Sequence, residues 1–398
     1  MPRIDPSPLL ALPGVAPVLA ALPGARIVGG AVRDLIAGRA VHDVDIATPL
    51  APTAVTRALS SAGLRVIPTG LAHGTVTALA EGAAIEVTTL RRDVATDGRH
   101  AVVAFTEDFR IDAARRDFTI NAMSLSAEGE IFDYFGGLAD LAAGRVCFVG
   151  RPAERIAEDY LRILRYVRFQ IRYGRSGPDA ETTEALRAAA PRLTTLSAER
   201  IWSEMGRILA IPDPRAGLTL MAALGILAVL LPEAAPGWEA RLDHLIASEA
   251  PIAAVLRLAA LIDDPATAEG VAHRWKLSGA ERSELCALLS AAPLPVDASG
   301  SAIRQALAET PLEILIGRTF LRYAPAPAAA ELRARLAATA VPVFPLQGRD
   351  GLALGLQPGP GLGAALAEVR RWWLARGCVD EAEACRAELA RVAARTAS

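Results

Sequence analysis

Up to about residue 150 the chain alternates apolar and polar residues between Gly-rich turns; beyond it the spacing turns helical and the alternation fades. Period two gives a strand two different faces, whereas helical spacing builds one apolar stripe, so no single repeating architecture serves both parts. The first part has the grammar of an α/β domain and the second that of helices alone, which makes the whole chain α+β. With 398 residues, each part is long enough to bury its own core. No fixed-period repeat is evident, which disfavours a solenoid.

Residues 25–28 read as a strand, followed by Gly29-Gly30 and a short helix that Gly38 ends. A second strand covers 44–47, and a helix covers 49–61 with Thr48 as its N-cap. Residues 74–79 and 84–90 alternate at period two around Glu81-Gly82, the pattern of a hairpin. The stretch 91–110 is polar and arginine-rich around Asp97-Gly98, and is expected to be an exposed, mobile loop. Residues 122–125 and 130–132 can pair around Glu128-Gly129, and 153–173 reads as one long helix closed by Gly174.

Composition excludes several classes. With 52% apolar residues the chain is not disordered, and a net charge of -2 is not that of a general polyanion binder. Mean hydropathy is +0.30, but much of it comes from alanine, and no 18-residue apolar stretch is free of charge or Gly/Pro breaks. Cys147, Cys286, Cys378 and Cys385 are scattered, which supports neither a disulfide framework nor a zinc site. The start, Met1-Pro2-Arg3-Ile4-Asp5-Pro6, lacks a signal peptide's apolar core, so the cytoplasm is the default.

The chemistry concentrates in Gly29-Gly30-Ala31-Val32-Arg33-Asp34 and in Asp43-Val44-Asp45. Carboxylates two apart on a strand share a face and repel unless a cation lies between them; hard oxygens suit Mg²⁺ shared with a substrate's phosphates. Alone, a D-x-D could equally be a surface turn. A Gly-Gly turn between strand and helix offers backbone N–H groups to a phosphate, and Arg33 can close on the same anion. Together the two motifs describe a nucleoside triphosphate held beside its metal. Glu86 could add a third carboxylate if its strand lies next to Asp43 and Asp45. Arg116 can pair with a triphosphate, while Asp117 and Asn121 can hold a ribose hydroxyl.

Between 151 and 175 seven arginines face Glu154, Glu158 and Asp159, a local net of +4 in a chain that is net negative. If 153–173 is one helix, Asp159 and Arg162 are neighbours and Arg168 lies about opposite Asp159. An acceptor beside a donor admits cytosine and adenine and rejects uracil and guanine, so the protein itself could act as template. Arg165 and Arg168 would then serve phosphates, RNA or a neighbouring domain.

The motifs G-G-A-V-R-D, D-V-D-I-A-T, H-G-T-V-T, I-E-V-T-T-L-R, D-G-R-H, R-R-D-F-T-I-N-A and E-D-Y-L-R-I-L-R-Y-V-R-F occur in this order. This series resembles the class II tRNA nucleotidyltransferase/poly(A) polymerase family, and within it the bacterial CCA-adding enzymes. Ser197-Ala198-Glu199-Arg200-Ile201 and Glu204 resemble the helical motif that follows in that family.

The resemblance implies a polymerase-beta-like nucleotidyltransferase head with a small mixed β-sheet (1–150), a helical neck (151–212), and a helical body and tail (213–398) that hold tRNA, the whole shaped like a seahorse. It implies two Mg²⁺ ions bound through Asp43 and Asp45, with CTP and ATP as substrates. It places Gly30, Arg33 and Arg116 at the phosphates, Asp117 and Asn121 at the sugar, and Asp159 and Arg162 at the base. Arg165 and Arg168 count as nucleotide contacts too.

Val66 to Gly74 lacks the G-R-R-F-like signature of the family's poly(A) polymerases, which favours CCA addition. The full-length 91–110 stretch argues against a CC-only enzyme. His42, His73, His100, His244 and His273 form no phosphohydrolase pattern, so no phosphatase activity is expected. A poly(A) polymerase and a noncatalytic RNA-binding module are the alternatives.

Overall fold

The computed structural model describes residues 2–71, 74–96 and 101–396. Ala72, His73 and residues 97–100, on which the loop expectation centred, lie outside the described residues. The chain forms two compact units: residues up to 208 together with 216–232, and residues 209–215 together with 233–398.

In the first unit seven strands form a mixed sheet: β1 (Arg26–Val28), β2 (Asp45–Thr48), β3 (Arg65–Gly70), β4 (Thr75–Ala80), β5 (Ala83–Thr89), β8 (Ser124–Leu125) and β9 (Ile131–Phe132). Their order is β3-β4-β5-β2-β1-β8-β9. Only β2 and β5 run parallel; the other neighbours are antiparallel. One face carries Ile27, Ile46, Val76 and Val87 into a core closed by Val15 and Val18 of α2 (Val15–Ala21) and by Val55 and Leu59 of α4 (Pro52–Ser61). A shorter α1 (Ser7–Leu10) precedes α2, and α3 (Gly30–Ile36) follows β1. The opposite sheet face is only partly covered, by Val28, Ala47, Leu90 and Phe109.

Glu81 and Gly82 turn the β4–β5 hairpin with φ of 51° and 80°, the double left-handed geometry whose twist matches antiparallel strands. Thr48 is not a helix cap: it ends β2, accepts from the Leu50 amide at 3.3 Å, and the helix begins at Pro52. Proline's fixed φ and missing N–H suit that first helical position better than a position inside a turn. Strand β3 was not foreseen, because Pro68 lies within it. It is tolerated because β3 is an edge strand whose register shifts between Ile67 and Gly70.

Two expectations are corrected. The stretch 91–110 is not a structureless loop: β6 (Arg91–Thr96) and β7 (Ala101–Phe105) form a two-stranded sheet, and Phe109 opens helix α5 (Phe109–Ala114). Leu90 ties its base to the main sheet, donating to Thr48 O and accepting from Thr106 N, both at 2.9 Å. Polar side chains disguised a ladder that backbone groups hold together. The second correction concerns 153–173, which is two helices, α7 (Pro152–Glu158) and α8 (Arg162–Tyr173). Asp159 between them is extended (φ −156°, ψ 107°), and its carboxylate accepts from the Leu161 amide at 3.1 Å. An aspartate that bonds the backbone ahead of it competes with the helix and starts a new one.

Helix α6 (Gly137–Ala143) lies beneath the short turn Thr119–Asn121, and α8 is fastened to the same region by aromatic rings. Phe118 sits 5.0 Å from both Phe148 and Phe169, and Phe148 stacks on Tyr166 at 5.5 Å. Such contacts are favourable beyond their buried area. Helices α9 (Ala180–Ala189) and α10 (Ala198–Leu209) follow.

The second unit is helical throughout its described elements, from Trp238–Ala247 to Ala382–Thr396. Buried Arg257 holds its first segment there, donating to the carbonyls of Leu209 and Ile211 and to Pro212 O at 2.8 Å. Among the described residues no helix is long and apolar enough to cross a membrane.

A Cβ at Gly137 would lie 2.3 Å from Thr119 O, in the backbone of the turn that carries Asn121. Backbone cannot swing aside as a side chain can. Gly137→Ala should therefore destabilise the first unit by about 1–3 kcal/mol, read as a lower thermal unfolding midpoint.

Candidate functional site

The parallel pairing of β2 and β5 brings the acidic residues together. Asp45 stands in register with Glu86, so both side chains leave the same, uncovered sheet face. Of the condition set for Glu86, that its strand lie beside Asp43 and Asp45, only the Asp45 part is met, because β2 begins at Asp45. Asp43 precedes β2 on exposed chain. Asp45 is open to solvent on one side yet sits against the protein on the others. That burial, together with Glu86 and then Asp43, pushes its carboxyl above the ordinary range, which Arg116 only partly offsets.

These are hard oxygen donors that repel one another, the arrangement a divalent cation relieves. Among the described residues no group of three His, Cys, Asp or Glu could hold a metal by itself. An ion here would draw further oxygens from water or a bound phosphate, as Mg²⁺ does.

Opposite the carboxylates lies the turn after β1. Gly29 has φ 71°, and a Cβ there would meet Arg116 Nη1 at 2.8 Å, so glycine leaves room for the guanidinium. Arg116 donates to Asn121 O at 3.4 Å and to Asp112 Oδ2 at 3.3 Å. Asp112, buried, also takes Arg115 Nε at 2.9 Å and the Arg91 amide at 3.3 Å. Asp112 was not singled out from sequence, although its i,i+3 and i,i+4 spacing to the two arginines is a readable signal.

Arg33, buried in α3, donates Nε and Nη2 to Asp34 at 3.0 and 2.8 Å and Nη1 to Asn121 Oδ1. Asn121 Nδ2 donates to Asp117 Oδ1 at 2.9 Å, and Asp117 Oδ2 takes both Nε, at 2.9 Å, and Nη2 of Arg165. Burial alone would raise the Asp117 carboxyl. The charge of Arg165 and hydrogen bonds from Asn121, Arg165 and the Phe118 amide outweigh it and hold the group below its usual value.

Asp159 and Arg162 remain close through the turn between α7 and α8, with Arg162 N donating to Asp159 O at 3.0 Å. They do not share one continuous helix as expected: α7 ends at Glu158 and α8 begins at Arg162. Asp159 Oδ2 accepts from Arg200 Nη2 at 2.7 Å, and Arg162 Nη1 donates to Glu158 Oε2 at 2.6 Å. Arg200 and Glu204 belong to α10, to which sequence reading gave no role. Arg168 points to Glu204, donating Nε at 2.7 Å.

One cleft of about 630 Å³ gathers these groups, within the size range of small-molecule sites. Gly30, Arg33, Asp45, Glu86, Arg116, Asp117, Asn121, Asp159, Arg162 and Arg165 line it; Asp43 and Arg168 do not. Thr75, Thr88, Arg115 and Arg200 line it too, unanticipated.

A mixed sheet whose acidic strand pair faces a Gly-Gly turn and an arginine-lined cleft has the head architecture of the polymerase-beta-type nucleotidyltransferases. Residues 25–147 match the poly A polymerase head domain, and 178–237 match a family described as a probable RNA and SrmB-binding site of polymerase A.

Among relatives, the mitochondrial CCA tRNA nucleotidyltransferase 1 of Mus musculus is 53% identical over 190 residues, 46% of this chain and 43% of that protein. A CCA-adding enzyme of Streptococcus pyogenes is 41% identical over 229 residues, 56% of this chain and 54% of that protein. The chain thus spans about half the length of the curated relatives it matches. The crystal structure of the Bacillus stearothermophilus CCA-adding enzyme in complex with CTP superposes with a TM-score of 0.76 at 30% identity, covering 96% of this chain and 97% of that one. The chain belongs to the tRNA nucleotidyltransferase/poly(A) polymerase family.

Like charges directly opposite on paired strands destabilise a sheet. Without divalent cation, Glu86→Gln should therefore stabilise the fold by up to about 1 kcal/mol, seen as a higher thermal midpoint, and added Mg²⁺ should shrink that gap. A midpoint that falls or stays put would mean the pair is not in repulsive contact.

Proposed function

We propose that this chain adds C, C and A to the 3′ end of tRNA, without a nucleic-acid template, from CTP and ATP. One observation carries the reading: the Asp45/Glu86 pair, the Gly29-Gly30 turn with Arg116, and Asp159 with Arg162 face a single cleft. Likeness along nearly the whole chain to a CCA-adding enzyme crystallised with CTP supports it.

In this reading the tRNA 3′-oxygen forms a bond to the nucleotide's α-phosphorus, the bond to the β-bridging oxygen breaks, and pyrophosphate leaves. The hydroxyl proton passes to solvent. Asp43 and Asp45, with Glu86 beside Asp45, would hold Mg²⁺, two ions being expected, and bound there the ions would supply charge neutralisation at the reacting phosphate. Gly30, Arg33 and Arg116 take the phosphates, and Asp117 and Asn121 hold the sugar. Asp159 accepts from the exocyclic amine of cytosine or adenine while Arg162 donates to the ring nitrogen. Arg165 and Arg168 back this wall through Asp117 and Glu204. Positioning and charge neutralisation carry most of the rate in phosphoryl chemistry.

By function we divide the chain into a catalytic head (1–150), a neck with the base-reading turn (151–212), and a body and tail (213–398) that hold tRNA. We place it in the cytoplasm, where its four free cysteines would stay reduced.

The match to a poly A polymerase head favours one rival, a poly(A) polymerase. Incubating the protein with tRNA lacking its end, CTP, ATP and Mg²⁺, then sequencing the product, should give three added residues in the wild type and none with Asp45→Ala. A long A tail would establish the rival, and no pyrophosphate release would point to a noncatalytic RNA-binding module.

Base choice gives a separate test. Asp159→Ala should lower the preference for CTP and ATP over UTP and GTP by about tenfold or more, measured as relative kcat/KM. Unchanged preference would end the template reading.

A further inference from the structure

Asp34 and Tyr173 lie outside every role assigned so far, yet they complete a hydrogen-bonded chain that starts and ends on α8. The Tyr173 hydroxyl donates to Asp34 Oδ1 at 2.6 Å. Asp34 grips the Arg33 guanidinium at two nitrogens, Arg33 donates to Asn121, Asn121 donates to Asp117, and Asp117 is held by Arg165 of α8. Each direction is fixed by chemistry: a guanidinium only donates and a carboxylate only accepts, so the Asn121 amide has one allowed orientation. Its oxygen faces Arg33 and its nitrogen faces Asp117. The Arg33 guanidinium also lies over the rings of Tyr173, at 4.5 Å, and Phe169, at 5.0 Å.

Neighbouring residues of a helix do not normally face each other. Arg33 and Asp34 are adjacent on α3, so their two-point contact exists because the arginine folds back over the carboxylate. Something must keep Asp34 in place for this, and the Tyr173 hydroxyl does so from α8. Burial alone would raise Asp34, but bonds from Arg33 and Tyr173 bring its carboxyl below the usual range, so the acceptor stays charged.

We propose that Asp34 and Tyr173 are positioning residues: through Arg33 they set the orientation of Asn121 and Asp117, and with it how firmly the site holds the sugar of an incoming nucleotide. This rests on the proposed nucleotide site. It predicts that a side chain outside the cleft lining, at the far end of α8 from Arg162, governs recognition of the ribose.

The test is equilibrium binding of CTP and of 2′-deoxy-CTP, with Mg²⁺, to the wild type, Tyr173→Phe and Asp34→Asn. Tyr173→Phe keeps the ring and its stacking and removes only the hydroxyl. The wild type should prefer CTP. Tyr173→Phe should weaken CTP binding about fivefold, as loss of part of one charge-assisted hydrogen bond does, while deoxy-CTP changes less, so the preference narrows. Asp34→Asn should narrow it further.

Thermal midpoints measured alongside separate this from mere support of the fold. A lower midpoint with an unchanged CTP preference would overturn the proposal, as would a wild type indifferent to the 2′-hydroxyl. A protein that shows the expected binding pattern but extends no tRNA would refute the proposed function and leave the relay standing.

Discussion

The parallel pairing of β2 with β5 decides what the cleft of the first unit can be. Side chains in register on parallel neighbours leave the sheet together, so aligning Ile46 with Val87 for the core forces Asp45 and Glu86 together on the other face. A slip of one residue between the strands would send one of the two acids into the apolar layer. The hydrophobic register and the acidic pair are therefore one constraint, and the core holds in place a repulsion that no partner in the chain fully cancels.

The opposite wall is solved by pairing. Arg116 has Asp112, Arg165 has Asp117, Arg162 has Glu158, and Arg168 has Glu204. Arg116, Arg162 and Arg165 reach the cleft already oriented, with little side-chain freedom left to lose when an anion arrives. Donors fixed in advance need no reorganisation at the moment of reaction, which is where electrostatic catalysis gains most. The pairs also explain how a chain of net charge -2 can present an arginine-lined cleft: the positive groups are local, and the acids that balance them stand directly behind.

Much of this was legible in the sequence, for reasons that differ by element. The β4–β5 hairpin could be read because alternation and a Glu-Gly turn are local signals. The Gly-Gly turn and D-x-D could be read because their chemistry is unusual for their spacing. The β6–β7 sheet escaped because its order resides in backbone bonds, and β3 because Pro68 speaks against a strand unless the strand is known to be at an edge. Asp159 was placed inside a helix because its flanks are both helical; only its carboxylate, bonded to the Leu161 amide, reveals the break. The partners of the site residues were the least visible part. Arg200 behind Asp159 is 41 residues away in sequence, and Glu204 is 36 from Arg168.

That break at Asp159 changes what the proposed base-reading pair is. On one continuous helix, Asp159 and Arg162 would be spaced by helical geometry, and their acceptor and donor would move only with the whole rod. Instead Asp159 stands in a turn held by its bonds to the Leu161 amide, to Arg162 N and to Arg200, while Arg162 opens α8, which Phe118, Phe169 and Arg165 anchor. Cytosine and adenine put their amino and ring-nitrogen groups at different distances from the sugar. In the proposed reading both bases meet an acceptor set by a capped turn and a donor set by an anchored helix, so the two halves of the reader are positioned by separate elements.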